Sequence, residues 1–375
     1  MLYVLKNETR HGLNQKRKTA SFKKNYERSF KMRLPHMDTV TAVLEKLSPE
    51  LLEKLSIHIV KHLLNKRLFH RYKLLNKYFQ VAVDATGYAS YEKQPNWPCP
   101  YKTSKNGKIW WTQPILCAKL VFPNGLVVPL LTEWIINEEQ YDKQDCETKA
   151  FKRLAVRLKK HFPRLSICIL ADALYTTGPF FSICQQNKWA FIVVFKDTNL
   201  ATVWKQVEQQ DKNQMQLEEK TTPNTISHKT FQWVGGLIYQ QHPLNWLEAN
   251  MEDKHNKHRF VCLTNLSIDK NNVEQVIKAS RLRWKIENEG FNIQKNGGYK
   301  LQHKMSRTNF FAIQNFLYCL QIGHLINQLI TCSKVFKEHI QQNFTLKHCW
   351  QVINAFLLYG QIELVSSNKF VFRYS

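Results

Sequence analysis

The chain has 375 residues and a mass of 44.4 kDa, enough to bury a substantial core without disulfide or metal staples. Its 54 Lys and Arg against 29 Asp and Glu give a formal charge of +25, which points to a polyanionic partner. The 9 cysteines are scattered without a CxxC pair, and no apolar run reaches the roughly 18 residues of a membrane helix, so neither a disulfide scaffold, a zinc knuckle nor a membrane span is expected.

Residues 1–80 carry 18 Lys and Arg against 6 Asp and Glu, so the positive charge is front-weighted. The stretch 1–35 is polar and basic and reads as partly unstructured. From Thr39 to Leu75 the period becomes helical, with Leu44, Leu47, Leu51, Leu55, Ile59 and Leu63 three and four apart as the expected core face. Together, residues 1–77 read as a basic helical DNA-binding region. His58 and His62 stand at i, i+4 but lack a third ligand nearby, so they read as surface residues.

At Phe79 the pattern changes to a strand, YFQVAVDATG, followed by the polar loop KQPNWPCPYKTSKNGK. WWTQPILCAKLVF and LVVPLLTEWII flank Pro123-Asn124-Gly125, a strong hairpin signal. Next come an amphipathic helix over Asn137–His161, a strand over 166–172, a helix over Gly178–Asn187 and a strand over 190–197. This order predicts a mixed α/β layer in which right-handed crossovers make the strand ending at Asp172 parallel to its neighbour. It is the element order of a ribonuclease H-like fold: a mixed sheet with flanking helices. Residues 198–262 break the rhythm and read as a β-rich insertion. A long helix is expected from a capping box at Asn272 to Gly297-Gly298, within a catalytic domain spanning 78–330, and 331–375 is expected to be a helical C-terminal region.

Asp84 and Asp172 are single carboxylates at the ends of otherwise apolar runs, where an acid is costly unless paired, hydrogen-bonded or metal-bound. Either alone reads as a turn residue; two in one sheet make a shared site as credible as two turns. Asp142, Asp145 and Glu147 fall among polar residues and read as a helix surface. A third acid completes an oxygen-rich nest for Mg²⁺, and RLRWKIENEGFNIQKNGGYK (281–300) offers two. At about 100° per residue, Glu287 shares a narrow polar stripe with Arg283 and Gln294, bordered by Trp284 and Phe291 on one side and Leu282, Ile286 and Ile293 on the other. Glu289 falls instead on a solvated face with Lys285, to which it is paired at i, i+4.

With Asp84, Asp172 and RLRWKIENEGFNIQK in place, the chain resembles the DDE transposases of bacterial insertion sequences, the insertion-sequence-four group with its Y-x2-R-x3-E-x6-K signature. The resemblance spans roughly residues 80–330. It implies that Asp84, Asp172 and Glu287 are the catalytic, metal-binding triad and that Arg283 contacts the DNA end. Ser280 stands at the signature tyrosine and Gln294 at the lysine, with Lys295 one residue later as a candidate phosphate contact. The implied reaction is cleavage at element ends and strand transfer of the 3′-OH, dependent on two Mg²⁺ ions or on Mn²⁺. The implied partners are double-stranded DNA and a second protomer in a synaptic complex, in a bacterial cytoplasm at the nucleoid. Lys102, Lys105 and Lys108, the 16–33 run and the cluster Lys61/Lys66/Arg67/Arg71/Lys73 are further phosphate candidates. Trp97, Trp110, Trp111, Trp233 and Trp246 are candidates to stack on an unpaired base. The alternatives are a ribonuclease H-like nuclease without strand transfer and a decayed, DNA-binding derivative.

Overall fold

A computed structural model describes residues 2–7, 9–138, 140, 143–222, 225–252, 257–339, 345–366 and 369–373. Four helices precede the first strand: α1 (Arg10–Arg17), α2 (Ala20–Phe30), α3 (Met37–Lys46) and α4 (Pro49–Asn65). The first two occupy the stretch expected to be partly unstructured. Thr9 caps α1 by accepting the Gly12 N–H at 3.0 Å, and α2 buries Phe22 and Tyr26. The helix expected over Thr39–Leu75 breaks before Pro49, which opens α4 in its first turn, where its missing N–H leaves nothing unpaired. The break rotates the core face: Leu51 and Leu55 are exposed, while Ile57 and Val60 are buried. His58 and His62 are exposed.

One sheet of ten strands organises the rest. β1 (Phe79–Tyr91) pairs antiparallel with β3 (Ile109–Val121) and parallel with β5 (Ile167–Ala171). β3 also carries β2 (Tyr101–Thr103) and β4 (Val127–Trp134), the latter through the expected hairpin, whose Gly125 has φ +86°. β5 pairs parallel with β6 (Ala190–Val194). Helices α5 (Glu147–His161) and α6 (Gly178–Asn187) are the crossovers. α5 begins ten residues later than expected because Asp145 ties down the preceding loop: its N–H donates to Asn137 Oδ1 at 2.9 Å, and its Oδ2 accepts the Ile136 N–H at 3.0 Å.

The segment 198–262 begins with α7 (Ala201–Glu208) and continues as β7 (Asn213–Thr222), β8 (Thr225–Tyr239) and β9 (His242–Glu252), followed by β10 (Lys257–Thr264). β10 pairs antiparallel with β6, so the β-rich insertion prolongs the central sheet instead of forming one of its own. The helix expected from Asn272 is divided into α8 (Val273–Arg281), a π-helical run Ile286–Asn292 and α9 (Ile293–Asn296). Its capping box does not form, since Asn272 Oδ1 accepts the Asp269 N–H at 3.0 Å instead. Gly298, at φ +91°, follows its end as expected.

The long apolar helix α10 (Phe310–Cys332) fastens the N-terminal region to the sheet. Asn315 donates to the carbonyls of Leu44 and Leu47 at 2.8 Å each, and Asn327 donates to Val4 O at 3.2 Å. The chain closes with α11 (Lys334–His339), α12 (Leu346–Tyr359) and an antiparallel pair, β11 (Gln361–Ser366) with β12 (Lys369–Arg373). The expectation of a helical region over 331–375 therefore missed a hairpin, although QIELVS begins with the period of a strand and KFVFR is rich in the aromatic and β-branched residues strands favour. Among the described residues, no helix is long and apolar enough to cross a membrane.

Candidate active site

Asp84 lies in the middle of β1, not at its end as the sequence suggested. What ends there is the parallel partner. The β1–β5 register runs from Phe79 opposite Ile167 to Ala82 opposite Leu170, and the same offset carried two residues further brings Asp172 level with Asp84. Both acids thus stand just past the point where the parallel pairing stops, Asp84 within β1 and Asp172 one residue beyond the end of β5. Asp84 Oδ1 accepts the Ala85 N–H, and Asp172 Oδ1 accepts the Leu174 N–H, each at 2.9 Å.

Glu287 comes from the π-helical run. Arg283 Nη1 donates to Glu287 Oε1 at 2.7 Å and stands 3.8 Å from Asp84 Oδ2, so one guanidinium spans two acids from different elements. Only 6% of Arg283 is exposed, and among the described residues its Nε has no hydrogen-bond partner. The arginine expected to touch DNA is turned onto the carboxylates. Burial and the neighbouring Glu287 charge push the Asp84 carboxyl up to about 7, with Arg283 opposing them.

A fourth carboxylate belongs to the site and escaped the sequence reading. Glu147, the first residue of α5, accepts a hydrogen bond from Tyr175 Oη at 2.9 Å. Burial raises its carboxyl above the usual range; the Tyr175 bond opposes this and the Asp172 charge adds to it. Burial, then the charges of Glu147, Asp172 and Asp84, raise the Tyr175 hydroxyl in turn. In a helix beginning at Asn137, Glu147 would be an ordinary surface acid; as the first residue of α5 it faces Tyr175. Asp145 is no surface acid either, since Arg153 Nη2 donates to it at 2.7 Å. Asp142 lies outside the described residues.

The far end of the Glu287 segment departs from the helical wheel because the π-helical run winds more residues into each turn. Gln294 is buried, accepting from Lys119 Nζ at 3.4 Å and donating to His324 Nδ1 at 3.1 Å. Burial lowers His324 to about 3, so its neutral ring is free to accept. Lys119, 1% exposed on β3, sits 4.3 Å over the Phe291 ring, and a Cβ at Gly290 would lie 3.3 Å from its Nζ. Glu289 pairs with Lys285 at 2.5 Å as expected, yet it is half-buried and, among the described residues, its Oε2 has no partner. Trp284, placed by the wheel on an apolar strip, is 51% exposed under the Arg283 guanidinium. Lys295 is half-buried and, among the described residues, forms no ion pair.

No protein-family model matches the chain, and neither does any curated protein. Beside the acids lies a cleft of about 520 Å³, lined by Asp172, Lys196, Asp197, Arg259, Arg281 and Arg283 among others, with Arg259 paired to Asp197 at 2.9 Å. Lys102, Lys105 and Lys108 are exposed on the β2–β3 hairpin, Lys108 lying 3.6 Å from Glu92. Trp97, Trp233 and Trp246 are buried and cannot meet a base, and Trp110 and Trp111 are half-buried.

Among the described residues, no group of three or more His, Cys, Asp or Glu side chains stands at metal-holding spacing. Asp84 and Glu287 offer the oxygen donors that hard cations take, and burial together with the neighbouring Glu287 charge favours a proton on Asp84; Arg283 supplies positive charge at the same place.

Proposed function

We propose that the chain is a DDE-type DNA transposase on a ribonuclease H-like fold, acting by Mg²⁺-dependent cleavage at element ends and transfer of the 3′-OH to target DNA. The observation that carries this reading is the register that levels Asp84 with Asp172, together with the Arg283 bridge that draws Glu287 to Asp84. Asp84, Asp172 and Glu287 would hold Mg²⁺ or Mn²⁺. Bound there, a pair of such ions activates an attacking oxygen and stabilises a leaving one on a phosphodiester. The chain's own residues set the stage: Arg283 holds two repelling acids together, and Tyr175 fixes Glu147 beside Asp172. Lys196 and Arg281 in the cleft and the +25 charge suit duplex DNA, and two ends handled together imply a homodimer in the bacterial cytoplasm.

The test uses the DNA flanking the coding sequence as substrate, with Mg²⁺ and a supercoiled target plasmid. Joined products carrying a short target duplication are expected; cutting without joining would leave a nuclease. A second reading, a DNA-binding derivative without chemistry, is favoured by the burial of Gln294 at the signature lysine position. It predicts salt-dependent DNA binding with no cleavage in Mg²⁺ or Mn²⁺.

A further inference from the structure

Three clefts adjoin along one side of the molecule. The cleft beside Asp172 shares Arg281 and Trp284 with a second, of about 720 Å³, that reaches Arg71 and Lys73. The second shares Lys73 with a third, of about 400 Å³, around Arg67, His70 and Arg164. Phe79 and Ser166 line the third cleft, so it lies where β1 and β5 begin, at the opposite pole of the strands that bear the acids. Five residues of β1 at about 3.3 Å each put roughly 17 Å between that pole and Asp84.

Beyond the first cleft, which holds Asp172 and Asp197, the charge along this path is one-sided. Among the described residues, no carboxylate lines the second or third cleft. Among the described residues, Arg67, Arg71, Lys73, Arg164 and Arg281 form no ion pair. Three of them rest on rings instead: Arg71 over Tyr72 at 4.7 Å, Lys73 over Phe79 at 4.9 Å and Arg281 over Phe260 at 4.8 Å. Such contacts hold a cation in place without neutralising it. The three cations of the far pocket come from different segments, the end of α4, the loop before β1 and the loop before β5, so the fold gathers like charges with no acid to offset their repulsion. An anionic ligand supplies that offset.

We propose that the pocket of Arg67, Lys73 and Arg164 is a second, non-catalytic site for a phosphodiester backbone, joined to the acid cluster by the groove of Arg71 and Arg281. A strand of duplex rises about 3.4 Å per nucleotide, so roughly five nucleotides connect the two poles. The path to the acids rests on the DNA-processing reading above; the pocket itself needs only a nucleic-acid backbone.

The test is equilibrium binding of a 30-base-pair duplex across a salt series, in chelator and in an Asp84→Asn background, so that loss of chemistry cannot be mistaken for loss of the site. Replacing Arg67, Lys73 and Arg164 together by Ala should reduce the slope of log affinity against log salt by about 3, roughly one per phosphate contact. Arg67→Lys with Arg164→Lys should keep the slope. Alanine at the exposed Lys152, Lys205 and Lys334 should leave it unchanged. In the unmutated chain, duplex should protect Lys73 from acylation, a readout that needs no variant to fold. A pocket variant with the parental slope, an equal fall in the control, or an unprotected Lys73 would each overturn the proposal. Normal binding without cleavage in the parental chain would sink the transposase reading and leave the pocket standing.

Discussion

Asp84 was legible because a lone carboxylate in the apolar run FQVAV has no cheap alternative to a partner. Glu147 was not, because it sits in a polar stretch and only the position of the α5 start aims it at Tyr175. Geometry around Asp84 sets a pH dependence. The folded carboxyl keeps its proton up to about pH 7, whereas an unfolded aspartate releases it near 4, so the metal-free fold loses stability as pH rises through that window. Asp84→Asn removes the loss, and the melting temperature of the variant minus that of the parent should grow between pH 5 and pH 8. An unchanged difference would contradict the half-buried Asp84–Glu287 pair. Lys119 and Gln294 make a contrasting case. Lys119→Met replaces a buried cation with an apolar chain of similar length and should fall within about 1 kcal/mol of the parent. Gln294→Leu strands both Lys119 and His324 and should cost about 2 kcal/mol in denaturant titration.

At the scale of elements, the hairpin, the crossover helices and the core strands follow from local pattern, since periodicity and Asn-Gly are signals within a few residues. The division of the 273–296 helix was hidden, because a π-helical run has no propensity signal and depends on what packs beneath it, here Lys119 under Gly290. The attachment of 198–262 to the main sheet was hidden for a related reason: the β6–β10 pairing joins residues some 70 apart in the chain. α10 offers a direct check on how the N-terminal segment is held. A Cβ at Gly323 would lie 2.7 Å from Tyr3 Cβ, so Gly323→Ala must push the segment off the helix, at a cost of about 1–3 kcal/mol. Proteolysis near residues 1–20 should quicken in that variant; parental resistance would mean that the segment is not seated on α10.

For the whole molecule, the basic N-terminal region is part of the fold and not a separable arm. Leu2, Leu13, Phe22 and Leu44 share a core with Ile313 and Phe316 of α10. Removing residues 1–35 should therefore give an aggregating chain, whereas a tethered domain would leave a soluble, folded remainder. The same compactness places cationic clefts, acids and the Glu287 segment on one body, so that binding and chemistry are tested together. The central claim, that Asp84, Asp172 and Glu287 act as one cation-dependent site, is tested most directly by the rate of Mg²⁺-dependent cleavage of flanking DNA in single variants. Asp84→Asn, Asp172→Asn and Glu287→Gln should each lower the rate on the order of 10²-fold or more, and Glu289→Gln, two residues from Glu287, should leave it near the parental value. Parental rates in any of the first three, or an equal loss in Glu289→Gln, would contradict it.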